Sequence, residues 1–234
     1  MVSGWTALPA TAEAPYRELF MLFESLGDNC EFGLVQRHFG AEPLGMLRFS
    51  GIPAFHLAET IFDDMPEFVD PDKIVLEPRG GEWWITIPSL RYMAHTNLPS
   101  NMPEPEAKRK AMTHIGFLRG LLLERFASGD KLFVHKSRDG IYQLAALNYL
   151  HYAIMQYSAA RLLTIFLADD LHPPGTVVRR DDGLYIGYID RLSSISDPAV
   201  ISFDCWLTIC RKVARMWNSD MASSKGLIES GSGP

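Results

Sequence analysis

Residues 27–30, Gly-Asp-Asn-Cys, bring a carboxylate, an amide and a thiol together at the predicted start of a helix. Apolar residues at helical spacing follow Cys30, and Gly40 ends the pattern. Unpaired backbone N–H groups and aligned peptide dipoles at a helix start favour a thiolate. The same N–H groups, with the Asn29 amide, can stabilise a developing oxyanion. We therefore predict a catalytic site centred on Cys30, with Asp28 and Asn29 beside it.

A cysteine-dependent acyl transfer also needs a histidine as base and an acid or amide that orients this base. Three histidines end or follow predicted strands, namely His95, His135 and His172. A structural or surface role is open for each of them. A structural role is equally open for Cys30, which can pack beneath the helix start, and for the preceding Gly-Asp-Asn, which is typical of turns and helix N-caps.

The elements that must position these residues are alternating strands and helices. Strands are predicted at 19–24, 44–49, 90–94, 131–136 and 161–167, and the first can also be read as a helix from Tyr16. Helices are predicted at 30–39, 53–62, 103–127, 141–157 and 205–217. Turn residues 79–81 and 181–183 predict two β-hairpins, with arms at 73–76 and 83–87 and at 177–180 and 184–188.

The strand–helix–strand order after residue 131 predicts parallel strands with helices on the sheet faces. The hairpins predict antiparallel extensions. The expected fold is an α/β three-layer domain with a mixed, partly parallel sheet and two β-hairpin extensions. Residues 1–222 are expected to form this single domain. Residues 223–234 are rich in Ser and Gly and are expected to form a flexible tail.

Polar residues follow three strands of the predicted parallel sheet. Sites in such sheets form beyond the carboxyl ends of the strands. Asp28 follows the first strand, Asp139 follows the strand that contains His135, and Asp169 and His172 follow the third. These last four residues are therefore predicted to bind a ligand at one shared rim. The simpler alternative is that Asp169 ends its strand and caps a turn.

Composition narrows the function class. The 234 residues are 47% hydrophobic and 21% charged, and the net charge of −6 argues against nucleic-acid binding. Three cysteines make no disulfide framework, and no run of apolar residues is long enough to span a membrane. Neither a nucleotide-binding fingerprint nor zinc-ligand spacing is present, so no cofactor or metal is expected. We expect a cytoplasmic protein that acts on a small-molecule, glycan or peptide substrate.

Residues 25–30, Ser-Leu-Gly-Asp-Asn-Cys, resemble the Ser-Leu-Gly-x-Asn-Cys motif of a bacterial domain family of unknown function. Members of that family are described as papain-like cysteine peptidases. Their motif is followed by a strand with a histidine, a long basic helix and a Phe-Val strand, which here correspond to His95, 104–126 and 132–134. The resemblance spans about residues 20–135. It implies Cys30 as nucleophile and His95 as base, and it implies an antiparallel sheet around the histidine.

A second interpretation is a non-catalytic binding protein. Residues 183–191 resemble proteins found in bacterial polysaccharide settings, which implies an accessory protein of polysaccharide assembly that binds a sugar or sugar nucleotide. Trp83 and Trp84 would suit such a ligand as an aromatic platform, although a hairpin that packs on the core explains them as well.

A third interpretation is an esterase of the Gly-Asp-Ser-Leu class. Such hydrolases begin with a strand, a Gly-Asp-Ser turn and a helix, and they end with Asp-x-x-His. Gly27-Asp28 and Asp169-x-x-His172 are similar. The chain departs from this pattern because Asn29 stands where the serine nucleophile belongs, and Cys30 comes one residue later.

Overall fold

The computed structural model describes residues 14–137, 144–157, 160–181, 183–193 and 200–230. The helices in these ranges are α1 (Ala14–Met21), α2 (Glu31–His38), α3 (Ala54–Phe62), α4 (Glu104–Ser128), α5 (Leu144–Met155) and α6 (Phe203–Ser230). The strands are β1 (Phe23–Ser25), β2 (Ser50–Gly51), β3 (Val75–Arg79), β4 (Glu82–Ile87), β5 (Tyr92–Pro99), β6 (Leu132–His135), β7 (Arg161–Leu167), β8 (Val177–Asp181) and β9 (Leu184–Ile189).

Sheet A has the strand order β1-β6-β7-β9-β8. Its first four strands run parallel, and β8 pairs antiparallel with β9 at the edge. The predicted parallel arrangement of the strands around residues 23, 133 and 163 is therefore confirmed. The parallel strands follow from the crossover helices, because α4 and α5 return the chain to the same end of the sheet. The antiparallel pairing of β8 with β9 makes the sheet mixed.

Sheet B is antiparallel throughout, with the order β2-β5-β4-β3. The hairpin around residues 79–81 forms as predicted, but it belongs to this second sheet instead of extending the parallel one. The reason is that β4 pairs along its length with β5, and the inner faces of both strands pack on the apolar cluster that includes α3 and α4. Sequence periodicity predicts each strand and does not specify its partner.

Sheet A lies between two helical layers. Alternate residues of β6 point to opposite faces, and each face is apolar. Leu132 and Val134 pack with α1, α2 and α6, whereas Phe133 packs with α3, α5 and the core beneath sheet B. The three-layer α/β class is thus the observed one.

Some predicted boundaries were wrong. Residues 19–24 are split between α1 and β1, because Phe20 stacks on Phe39 at 4.5 Å between ring centroids and so completes a helical face. Residues 44–49 form turns and no strand. There the buried Arg48 guanidinium donates to the carbonyls of Gly33 and Ala41, at 3.1 and 3.0 Å, which draws the turn against α2.

The closing helix is longer than predicted. It begins at Phe203 and continues to Ser230, beyond residue 223 where the sequence predicts the start of a tail. Along the part of the chain that the structure describes, no helix combines the length and apolar character needed to cross a membrane.

Candidate functional site

A cavity of about 1330 Å³ opens between sheet B, one face of α4 and the start of α2. Cys30 and His95 both line it, although they are 65 positions apart in the chain (95 − 30). Sequence analysis singles out both residues, and the fold brings them to the wall of one cavity. The wall also includes the turn around Met46 and the hairpin turn at Arg79–Gly81.

Cys30 is the N-cap residue of α2 and is partly exposed. The turn before it is buried, and Gly27 adopts a φ of +82°, a conformation that suits glycine. A Cβ atom at Gly27 would lie 3.2 Å from Ser50 Oγ, so the turn is packed tightly against β2. The thiol is therefore held at the helix start by a buried turn, in the position that the sequence predicts.

Asn29 and Asp28 lie in this buried turn. The Asn29 side-chain oxygen accepts a hydrogen bond of 3.0 Å from the backbone N–H of Glu31. This is the turn chemistry that the sequence leaves open as the structural alternative. The hydrogen bond fixes the direction of the first turn of α2, and through it the position of Cys30. Neither Asp28 nor Asn29 is among the described residues that line the cavity.

The start of α2 is anchored by a buried ion pair. Glu31 Oε2 lies 2.8 Å from Lys136 Nζ, and both side chains are almost completely buried. The same carboxylate accepts hydrogen bonds from the N–H and Oγ of Ser193, at 3.2 and 2.9 Å, and from Trp206 Nε1 at 2.8 Å. Glu31, the residue after Cys30, thus contacts side chains at the end of β6, in the loop after β9 and on α6.

His95 projects from β5 next to a bulge. Trp84 pairs with His95, but its neighbour Trp83 pairs with Leu98. Strand β5 therefore has two extra residues between His95 and Leu98. One of these, Asn97, has a φ of +58°. Such bulges change the direction of nearby side chains. Of the three histidines that the sequence singles out, His95 is the one found at the described cavity wall, and the bulge lies next to it.

Glu82 holds His95 in place. One carboxylate oxygen contacts His95 Nδ1, and the other accepts a 3.2 Å hydrogen bond from the N–H of Asn97. Because a carboxylate only accepts, Nδ1 carries the proton, and Nε2 is the nitrogen that Glu82 does not hold. The His95 ring also lies 3.9 Å from the Trp84 ring, measured between centroids. A carboxylate on Nδ1 fixes the tautomer and stabilises positive charge that forms on the ring during a reaction.

Neither of the other two histidines that the sequence singles out is found among the described residues of the cavity wall. His135 is 1% exposed, and burial lowers its pKa to about 4, partly offset by a hydrogen bond with the backbone of Ile52. It is therefore a neutral core residue and is not seen at the cavity wall. The predicted rim residue Asp139 lies outside the described residues.

Asp169 and His172 form a local turn. The Asp169 carboxylate accepts hydrogen bonds from the backbone N–H groups of Leu171 and His172 and from His172 Nδ1, at 2.9, 2.7 and 2.9 Å. The His172 ring stacks on Tyr188 at 4.1 Å. Neither Asp169 nor His172 is found among the described residues of the cavity wall. Asp169 thus has the turn-capping role that the sequence leaves open.

Glu82 and the charged residues of the cavity wall are absent from the sequence-based site. Glu82 directly follows a Gly-Gly turn and reads as an ordinary strand start. Glu82 could have been recognised as a site residue only by its position opposite the strand of His95, and that position depends on the pairing of β4 with β5. Arg37, Arg79 and Lys110, which also line the cavity, read as solvent-facing charges.

No group of three or more His, Cys, Asp or Glu side chains that could hold a metal ion occurs within the described ranges. Comparison with models of protein families, with curated proteins and with solved structures gives no significant match to this chain. Its function is therefore inferred from the site itself.

Proposed function

We propose that this protein is a cysteine-dependent hydrolase or acyl transferase in which Cys30 is the nucleophile and His95 the base. The observation that carries the proposal is that Cys30, at a helix start, and His95, held through Nδ1 by Glu82, line the same cavity. A thiol at a helix N-terminus and a carboxylate-oriented imidazole are the two components that such chemistry needs.

In the proposed reaction, the Cys30 sulfur attacks the carbonyl carbon of an ester, thioester or amide. His95 takes the thiol proton, and a carbon–sulfur bond forms while the carbonyl oxygen becomes an oxyanion. The positive end of the α2 dipole, next to Cys30, favours the negative charge of this oxyanion. The bond to the leaving group then breaks, the leaving group takes the proton from His95, and an acyl-enzyme remains.

The acyl-enzyme is resolved by water or by an acceptor nucleophile. His95 removes the proton of the incoming nucleophile, the new bond to the carbonyl carbon forms, and the carbon–sulfur bond breaks. The sulfur recovers the proton, which regenerates Cys30. Glu82 keeps its contact with Nδ1 throughout and so keeps the proton on that nitrogen. Water gives hydrolysis and another acceptor gives acyl transfer.

This reading agrees with what the family resemblance implies, namely a nucleophilic Cys30 and a His95 on an antiparallel sheet. The esterase alternative of the Gly-Asp-Ser-Leu class has less support, because Asp169 and His172 are engaged in their own turn. The binding-module alternative keeps one favourable observation. Trp84 lines the cavity and would suit a sugar ring as a stacking surface.

The pH dependence of Cys30 alkylation tests the proposal. We expect iodoacetamide to label Cys30 faster at pH 7 than Cys205 or Cys210, because burial raises the pKa of both of those thiols. His95→Ala is expected to slow the labelling of Cys30 several-fold, since the base that takes the thiol proton is lost. His172→Ala is the matched control and should leave the profile unchanged. Equal profiles for wild type and His95→Ala would overturn the assignment of His95.

A further inference from the structure

The cavity wall is positively charged in a protein of negative net charge. Among the described lining residues, Arg37, Arg79 and Lys110 are cationic and Glu82 is the one carboxylate, a balance of +2 (3 − 1). The whole chain carries −6. The Glu82 carboxylate is already paired with His95 within the site. A concave surface of one sign attracts ligands of the opposite sign.

The three cations have surface partners that a ligand can replace. Arg37 Nε lies 2.8 Å from Glu42, Lys110 Nζ lies 2.8 Å from Glu106, and Arg79 contacts Glu77.

These three carboxylates are between 40% and 52% exposed and are not seen at the cavity wall. Ion pairs of this kind are weak because water competes for both groups and holding the side chains costs entropy. Glu42 also pairs with the buried Arg48, so it keeps a partner when Arg37 turns away. The cations can therefore turn to an anion inside the cavity.

The deeper part of the cavity is apolar. On α4, Ala111, Ile115 and Leu118 follow a helical face, and each is at most 8% exposed. Across from them, sheet B contributes Ile85 and Ala94, at 3% and 6% exposed. The cavity thus has an apolar floor between α4 and sheet B, and its cations come from α2, from α4 and from the end of β3.

We infer that the substrate of this site is an anionic amphiphile, with an apolar acyl chain on the floor and a phosphate or carboxylate group on the cations. The volume of about 1330 Å³ exceeds that of ordinary small-molecule pockets and accommodates both parts. The inference rests on the proposed function for the reacting carbonyl at Cys30. The binding of an anionic amphiphile does not itself require catalysis. A neutral sugar would leave the cations and the floor unused.

Binding to the Cys30→Ala variant, which cannot form an acyl-enzyme, tests the inference by isothermal titration below the critical micelle concentrations. The probes are decyl phosphate, decanoate, decylammonium and inorganic phosphate. We expect decyl phosphate or decanoate to bind at least about 10-fold more tightly than decylammonium, because only the anions match the three cations. We also expect inorganic phosphate to bind more weakly than decyl phosphate, since it buries no apolar surface. The stronger of the two anionic probes identifies the head group.

A variant and a chain-length series locate the two parts of the site. Arg79→Gln should weaken binding of the preferred anion on the order of 10-fold. Arg191→Gln is the control for net charge, because Arg191 is not among the described residues of the cavity wall. Each methylene removed from the chain should weaken binding by up to roughly fourfold. In the wild-type protein the preferred probe should slow alkylation of Cys30, which shows that it occupies this cavity.

The outcomes separate the inference from the proposed function. Protection of Cys30 by the anionic amphiphile without turnover of any acyl ester would support the inference and count against catalysis. Turnover of neutral acyl esters together with equal binding of decyl phosphate and decylammonium would overturn the inference and leave the catalytic proposal standing. Binding that is unaffected by Arg79→Gln and does not protect Cys30 would also overturn it.

Discussion

The pair His95–Glu82 and the pair His172–Asp169 are alike in chemistry and different in setting. In both, a carboxylate contacts the histidine Nδ1. His172 and Asp169 are three residues apart on an exposed turn, and the carboxylate also caps that turn. His95 and Glu82 are 13 residues apart on two strands, each side chain is 23% exposed, and both line a cavity with a cysteine.

The difference between the two pairs shows what makes a histidine–carboxylate pair a candidate for catalysis. A local pair is fully explained by turn chemistry, because short polar side chains stabilise their own backbone. A pair assembled across strands at a cavity has no such local explanation. Partners from distant segments are not sufficient, since Glu24 and Glu31 also have them but are buried and are not found among the described residues of the cavity wall.

The largest expected effect separates the two histidines directly. His95→Ala should lower kcat/KM for a p-nitrophenyl ester by about 10²- to 10⁴-fold, the usual contribution of a general base. His172→Ala should change it less than twofold. The measurement is ester hydrolysis at pH 7.5, with Cys30→Ala as the blank. A large loss with His172→Ala and none with His95→Ala would reverse the comparison and favour the esterase of the Gly-Asp-Ser-Leu class.

Breaking the buried ion pair at the start of α2 should destabilise the fold strongly. Lys136→Met leaves the Glu31 carboxylate buried without its cation, which is expected to lower the free energy of unfolding by about 3–5 kcal/mol. The double variant Glu31→Gln/Lys136→Met should recover much of that loss. Urea denaturation checks both values. Lys110→Met, which breaks a surface pair with Glu106, is the control and should leave the free energy of unfolding nearly unchanged.

The buried Glu24 gives a pH dependence with a definite sign. Burial raises the pKa of Glu24 from 4.5 to about 7, although Arg125 opposes this shift. The folded state therefore holds this proton more tightly than the unfolded state, and the contribution of Glu24 to stability falls as pH rises from about 4.5 to 7. A rise of the Glu24 pKa from 4.5 to about 7 corresponds to a loss of folding stability on the order of 3 kcal/mol.

The variant Glu24→Gln isolates this contribution. Its free energy of unfolding, relative to wild type, should increase as pH rises from 5 to 7.5 in urea titrations. Both proteins contain His135, whose lowered pKa makes the fold more stable as pH rises from about 4 to 6.5. This opposite contribution cancels when the two free energies of unfolding are subtracted. A flat difference would mean that Glu24 is ionised across this range.

The smallest effect concerns the two carboxylates themselves. Glu82→Gln should lower kcat/KM on the order of 10-fold or more, because the amide no longer fixes the His95 tautomer or stabilises its charge. The loss should be smaller than that of His95→Ala. Asp169→Asn is the matched control and should leave ester hydrolysis unchanged. Equal activity of Glu82→Gln and wild type would reduce Glu82 to a structural role in the β5 bulge.

The sequence alone determined most elements of the fold and the position of Cys30. The hairpin turns, the helix stops at Gly40 and Gly129, and the apolar strands around residues 133 and 163 are set by side-chain period and turn chemistry, which act over a few residues. The long crossover helices then required parallel strands in sheet A. For the same reason, the turn that holds Cys30 and the helix that follows it were predictable.

Only the tertiary structure decided which residues share a cavity with Cys30. The pairing of β4 with β5 brings Glu82 to His95, and the packing of sheet B against α4 forms the cavity and turns Arg79 and Lys110 toward one space. Parallel topology suggested His135 and His172 instead, because it specifies which strand ends share an edge but not how deeply a residue is buried. Burial and strand pairing are long-range properties of the whole chain, and no local pattern in the sequence encodes them.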